Sequence, residues 1–152
     1  MAFTLKQGDK APDFKLEDQD GKTIKLSDLE GKKSVIFFYP ADMTPTCTIE
    51  ACKLRDNHSI FQSKGYEVYG VSPDDAKSHQ KFIAKHQLPY TLLSDPDHKM
   101  AIAYGVWDEK QLFGRKYMGI VRTTFILDEK GKIAEVITKV KSKDHASQIL
   151  KL

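Results

Sequence analysis

The sequence predicts an α/β fold: a mixed central sheet flanked by helices, with an N-terminal β-hairpin extension. Three observations carry that prediction. Short runs rich in β-branched and aromatic residues, at 34–39, 66–71 and 89–93, read as strands, and stretches of helical periodicity lie between them. Turn chemistry at Asp20-Gly21 and at 128–132 closes strand patterns into hairpins towards either end of the chain. The length of 152 residues suits one domain spanning 1–152, and the composition, 40% hydrophobic and 30% charged, is that of a globular protein.

Taken in order, residues 12–17 and 22–26 alternate apolar with polar side chains, the pattern of a hairpin with one buried face. Residues 27–29 allow one helical turn, and Gly31 opens a loop before the run S-V-I-F-F-Y at 34–39. That run is apolar at consecutive positions, as a strand buried on both faces is, and Pro40 ends it because proline has no N–H for the ladder. A helix is expected from Pro45 to about Ser63, with Ala51, Leu54, His58 and Phe61 on its inner face and Gly65 beyond its end. Residues 66–71 form the next strand. Ser72-Pro73-Asp74 then caps a helix through about His86, with Ala76, Phe82 and Ile83 facing inward. A strand at 89–93 follows, and the turn at 94–97 leads into a helix ending near Tyr104. The acids in that turn lack the rest of a calcium-loop pattern and read as caps. Residues 120–127 read as one strand, 133–138 as its hairpin partner and 143–152 as a closing helix, with Met118, Phe125 and Ile126 in the core.

Both cysteines lie between Phe37 and Cys52, where the central strand gives way to a helix. Thr44-Pro45 reads as a helix start, with threonine at the N-cap and proline at the first helical position, where its missing N–H costs nothing. Cys47 is then the third helical residue. Its sulfur lies among unpaired backbone N–H groups at the positive end of the helix dipole, which favours thiolate over thiol. Two small buried hydrophobes would also be compatible with the cysteine count, since free cysteine is among the most buried residue types.

The segment Y-P-A-D-M-T-P-T-C at 39–47 resembles the active-site loop of the peroxiredoxins: proline, three residues, threonine or serine, two residues, cysteine. Pro40, Thr44 and Cys47 meet that pattern. With Cys52 in T-I-E-A-C, the chain is most similar to the PrxQ, or bacterioferritin-comigratory-protein, subfamily. The resemblance extends through A-P-D-F at 11–14, L-L-S-D at 92–95, Y-G-V-W at 104–107 and G-I-V-R-T-T-F-I-L-D at 119–128. One departure stands beside the nucleophile, where Thr46 replaces the subfamily's usual glycine and adds bulk to the first helical turn.

The resemblance implies a thioredoxin-like fold and a thiol-dependent peroxidase that needs no cofactor. In it Cys47 attacks hydrogen peroxide or an organic hydroperoxide and becomes a sulfenic acid. Cys52 then condenses with it to an intrachain disulfide, which a thioredoxin or glutaredoxin reduces. Arg122 matches the family's second-site arginine. With the Thr44 hydroxyl and the Cys47 amide it would stabilise charge on the departing oxygen, while Pro40 shields the thiolate. In an intact helix, residues five apart have Cα atoms about 8.6 Å apart, whereas a disulfide takes roughly 4.4–6.8 Å. The first helical turns must therefore unwind. Glu50, between the cysteines, reads as a cap for the helix start.

Other classes are disfavoured. The net charge of +3 arises from 24 basic and 21 acidic residues intermixed along the chain, which argues against nucleic acid or an anionic membrane as partner. Lys139, Lys141, Lys143 and Lys151 read as a solvated face. No run approaches the ~18 apolar residues of a membrane span, and the N-terminus has no signal-peptide pattern, so a cytoplasmic protein is expected. The five histidines are scattered without ligand spacing, so no metal is expected. An intrachain resolving cysteine removes the need for a partner subunit, which suits a monomer or weak dimer. Two rival readings remain: a thiol-disulfide oxidoreductase on the same fold, expected to space its cysteines by two residues rather than four, and a binding protein switched by the disulfide.

Overall fold

The computed structural model describes residues 5–151. In chain order the elements are β1 (Lys15–Asp18), β2 (Thr23–Lys25), a 3₁₀ turn at Leu26–Leu29, β3 (Lys33–Phe38), α1 (Pro45–Asp56), α2 (His58–Ser63), β4 (Tyr66–Ser72) and α3 (Ala76–His86). There follow β5 (Thr91–Ser94), α4 (Lys99–Ala103), β6 (Trp107–Leu112), β7 (Arg115–Ile120), β8 (Thr123–Leu127), β9 (Ile133–Ile137), a 3₁₀ turn at Ser142–Asp144 and α5 (His145–Leu150). The main sheet runs β2-β1-β5-β4-β3-β8-β9, and β6 pairs with β7 in a separate two-stranded ribbon. β3, β4 and β5 are mutually parallel, joined by helical crossovers, while the flanking strands are antiparallel. The sheet is therefore mixed, and the N-terminal hairpin is continuous with it through β1 and β5 rather than a separate extension.

β3 is buried from Ser34 to Phe38 because both faces of the sheet are covered. Alternation sends Val35 and Phe37 towards α1, α2, α3 and α5, where they meet Leu54, Phe61, Phe82 and Ile149. Ile36 and Phe38 point the other way, towards Met100 of α4, Tyr104 and Phe125. On β4, Gly70 makes room for Phe37 and Leu92 on the face that packs against α1. A Cβ there would lie 2.7 Å from Leu92 and 2.8 Å from Phe37, so alanine at this position would force the core apart.

Four boundaries differ from the sequence reading. The helix expected from Pro45 to Ser63 is two helices, broken at Asn57, whose amide side chain turns back to the Lys53 carbonyl at 2.9 Å. The cap of α3 is Asp75, accepting from the Ser78 amide at 2.8 Å, and not the 72–74 turn. Residues 120–127 are not one strand: the chain leaves the ribbon at Ile120 and enters the main sheet at Thr123. Met118 is half exposed on that ribbon rather than in the core. The expected closing helix at 143–152 begins as the 3₁₀ turn and becomes α5, and Leu152 lies outside the described residues. Asp95 does act as a cap, accepting from the Met100 and Ala101 amides at 3.1 and 2.9 Å. The four C-terminal lysines are exposed.

Candidate active site

β3 ends at the carboxyl edge of the parallel strands, and residues 39–44 carry the chain from there into α1. Buried polar contacts fix that loop. Asp42 accepts from Tyr39 Oη at 2.6 Å and Ser78 Oγ at 2.8 Å, and its Oδ2 lies 2.8 Å from His79 Nδ1. The other ring nitrogen of His79 lies 3.1 Å from the Leu93 carbonyl. The Asp42 amide in turn donates to Asp74 Oδ2 at 2.7 Å. These ties join the loop to α3, β4 and β5. Met43 then takes a left-handed conformation, φ 66°, which redirects the chain into the helix start at Thr44.

Thr44 and Pro45 occupy the N-cap and first helical positions, as expected. The Thr44 side chain, however, does not cap the helix. Its hydroxyl donates to the Ala41 carbonyl at 3.1 Å, so its oxygen presents lone pairs, and not a proton, to the space in front of α1. Cys47 is the third residue of α1 and is buried, Pro40 is half-buried, and Thr46 faces solvent, where its bulk meets no neighbour in the core. Cys47 and Cys52 are both free thiols on the one intact helix.

Arg122 reaches this helix from the link between β7 and β8. Its Nη1 donates to Glu50 Oε1 at 2.8 Å, and its guanidinium lies within the electrostatic reach of Cys47. Burial disfavours the Arg122 charge, but the charges of Cys47 and Glu50 and the Glu50 hydrogen bond outweigh it and hold the cation above its usual pKa. Glu50 is not a helix-start cap. It is fully buried against Arg122, because helical spacing places it one turn after Cys47 on the face turned to the sheet. Burial pushes its carboxyl up to about 7, against the downward pull of Arg122.

Glu50 Oε2 has no hydrogen-bond partner among the described residues, and His145 Nε2 of α5 lies 3.6 Å from it. Gln148 Oε1, which already accepts from the Lys141 amide, takes the proton of His145 Nδ1 at 2.9 Å. Neutral His145 therefore offers a lone pair at Nε2, and Thr124 Oγ1 lies 2.7 Å from it. Burial lowers the His145 pKa, and Arg122 adds to that effect. The carboxyl and the neutral imidazole thus lie side by side beneath α1 without a direct hydrogen bond. Sequence reasoning brought Pro40, Thr44, Cys47, Cys52 and Arg122 to one helix start. It did not find Asp42, His79 or His145, whose partners lie in other elements.

The whole arrangement can be set beside known proteins. The AhpC/TSA family model matches residues 7–136. Peroxiredoxin Bcp of Bacillus subtilis is 49% identical over 148 residues, covering 97% of this chain and 94% of the relative. The chain belongs to the peroxiredoxins. Among solved structures, a cysteine-to-serine mutant of PrxQ from Xylella fastidiosa superposes with a TM-score of 0.92 at 30% identity, covering 99% of this chain and 96% of that one. The bacterioferritin comigratory protein of Xanthomonas campestris, studied for alkyl peroxide reduction, gives 0.86 at 35%, covering 91% and 88%. This peroxiredoxin is of the Bcp/PrxQ kind, has a thioredoxin-like fold and is a thiol-dependent peroxidase. The oxidoreductase and binding-switch readings are set aside accordingly. Among the described residues, no helix of this peroxiredoxin is long and apolar enough to cross a membrane.

Proposed function

We propose that Cys47 is the peroxide-reacting thiolate, Cys52 the resolving thiol, and Arg122, Thr44 and Pro40 the groups that shape the reaction around them. The carrying observation is the Arg122 guanidinium, held at 2.8 Å by buried Glu50, one helical turn after Cys47, and within electrostatic reach of that thiol. It holds a fixed cation where negative charge begins on sulfur and ends on oxygen. The Cys47 thiolate attacks the terminal peroxide oxygen; an S–O bond forms, the O–O bond breaks, and the departing hydroxide or alkoxide takes a proton. Thr44 Oγ1, its own proton on Ala41, accepts from the peroxide hydroxyl and orients it, leaving Arg122 and backbone amides to face the departing oxygen.

Cys52 then attacks the sulfenic sulfur and expels hydroxide, which is protonated to water, so each peroxide consumes two thiols. Because the two cysteines lie five positions apart on an intact helix, α1 unwinds for this step and refolds after reduction by a thioredoxin or glutaredoxin dithiol. The substrates are hydrogen peroxide and organic hydroperoxides, the latter as for the Xanthomonas relative. The chain acts as one domain and as a monomer or weak dimer, in the cytoplasm. Mass spectrometry of dimedone-treated protein after one equivalent of peroxide tests the assignment. Cys52→Ser is expected to carry the adduct on Cys47 alone, and the wild type to carry an intrachain disulfide instead. No adduct on Cys47 in Cys52→Ser, or an adduct on Cys52 in Cys47→Ser, would overturn it.

A further inference from the structure

Lys110 lies on the β6–β7 ribbon, outside the loop and helix that carry the cysteines. Its side chain does not extend into solvent like those of its neighbours Glu109 and Lys116, which form a loose exposed pair at 3.7 Å. Instead Lys110 runs across the ribbon, and its Nζ donates to the Ile120 carbonyl at 2.8 Å. In register Lys110 faces Tyr117, and Ile120 faces Trp107, so the side chain spans three positions of the ladder. It passes over Gly119, where a Cβ would lie 3.0 Å from Lys110 Cδ and 3.2 Å from the Tyr117 ring. The missing side chain of Gly119 is what lets the lysine stem lie so close to the backbone.

Ile120 is the last residue of β7, and Arg122 sits in the link that follows. That link is tied at three points: Lys110 Nζ to the Ile120 carbonyl, the Val121 amide to the Val106 carbonyl at 2.7 Å, and Thr123 Oγ1 to the Val121 carbonyl at 2.8 Å. Two of these ties are short and local in character, as any strand crossing has. The Lys110 tie requires a long cationic side chain to lose its rotamer freedom and to lie half-buried near another cation. Burial and the charge of Arg122 both lower the Lys110 pKa, and the Cys47 anion is what raises it.

We propose that Lys110 is a positioning residue of the peroxidase reaction: by holding the Ile120 carbonyl it fixes the link that carries Arg122, and with it the place of the Arg122 cation beside the Cys47 thiolate. The inference rests on the reading of Cys47 and Arg122 given above. Arg122 and Cys47 are the groups whose charges act on the Lys110 ammonium, and Glu109 and Lys116 of the same ribbon are exposed.

The test uses Lys110→Met, which keeps the stem and removes charge and donor, and Lys110→Arg, which keeps the charge. Stopped-flow oxidation by hydrogen peroxide is read beside the pH profile of iodoacetamide alkylation, the latter in a Cys52→Ser background so that Cys47 alone reports. Lys110→Met is expected to slow oxidation roughly tenfold, equivalent to about one unit of thiolate stabilisation, and to move the alkylation midpoint to higher pH. Lys110→Arg is expected to restore most of both, with melting temperatures unchanged across the set. An unmoved alkylation profile in Lys110→Met, or a slow Lys110→Arg, would overturn the proposal, because a merely structural lysine changes rate only through the amount of folded protein. If the wild type itself reacted no faster than a free thiol, the Cys47 assignment would fall, and this proposal with it.

Discussion

Replacing Glu50 with glutamine removes a buried ionisation while keeping the shape of the side chain and its acceptor for Arg122. The Glu50 carboxyl titrates at about 7 in the folded protein, against an ordinary value of 4.5. A raised carboxyl pKa means that the folded helix holds the proton more tightly than the unwound one. Its stabilising effect is complete below pH 4.5 and is lost as pH rises towards and through 7. Between pH 5 and pH 8 the loss is about 2–3 kcal/mol, a shift of one to two orders of magnitude towards unwound α1. Glu50→Gln lacks this dependence. The assay is the rate of disulfide formation from the Cys47 sulfenic acid, followed by stopped-flow at pH values from 5 to 8. Ionisation of Cys52 accelerates both proteins alike, so the ratio of wild type to Glu50→Gln isolates the carboxyl. That ratio is expected to rise by one to two orders of magnitude. Urea unfolding of the reduced proteins should show the same trend. A ratio constant across the range would refute the reasoning, for it would mean that Glu50 stays charged at every pH or that α1 does not unwind before resolution.

Other perturbations have equally defined outcomes. Tyr90 Oη donates to the Ala51 carbonyl at 2.7 Å and so pins α1 between the two cysteines. Tyr90→Phe removes about 1 kcal/mol and is expected to speed disulfide formation several-fold without changing the oxidation of Cys47; stopped-flow separates the two phases. His79→Ala leaves the Asp42 carboxylate buried without its closest ring partner, at a cost of about 3–5 kcal/mol. Calorimetry is expected to find the melting temperature lower by about 10 °C, and a change within 2 °C of wild type would mean that the loop is held by other contacts. Thr44→Val removes the lone pairs offered to the peroxide and should slow oxidation by about 10², with Thr44→Ser recovering most of the rate.

Legibility in the sequence followed how local the signals were. β3, Pro40 and the Thr44-Pro45 helix start are written in adjacent residues, and so was the position of Cys47 in the first turn. Arg122 was legible only through its family motif, since nothing in V-R-T-T-F says that the chain changes sheets at that residue. The ribbon escaped notice because W-D-E-K-Q-L and R-K-Y-M-G-I look like surface. Its turn, Phe113-Gly114, has both φ angles positive, 53° and 77°, but places phenylalanine where asparagine or aspartate would normally signal it. Glu50, Asp42, His79 and His145 are polar residues whose burial is decided by partners far along the chain: 72 residues away for Glu50 and Arg122, and 37 for Asp42 and His79. Single-sequence patterning assigns such residues to the surface. Here tertiary hydrogen bonds and ion pairs override it.

The most direct measurement is the oxidation of the fully reduced protein by hydrogen peroxide in a stopped-flow instrument, with Trp107 fluorescence as signal and free thiols counted at the end, beside Arg122→Ala. The account predicts a second-order rate orders of magnitude above that of free cysteine, two thiols lost per peroxide, and a large fall in rate for the variant. A rate equal to that of free cysteine, or one untouched by the loss of Arg122, would contradict it.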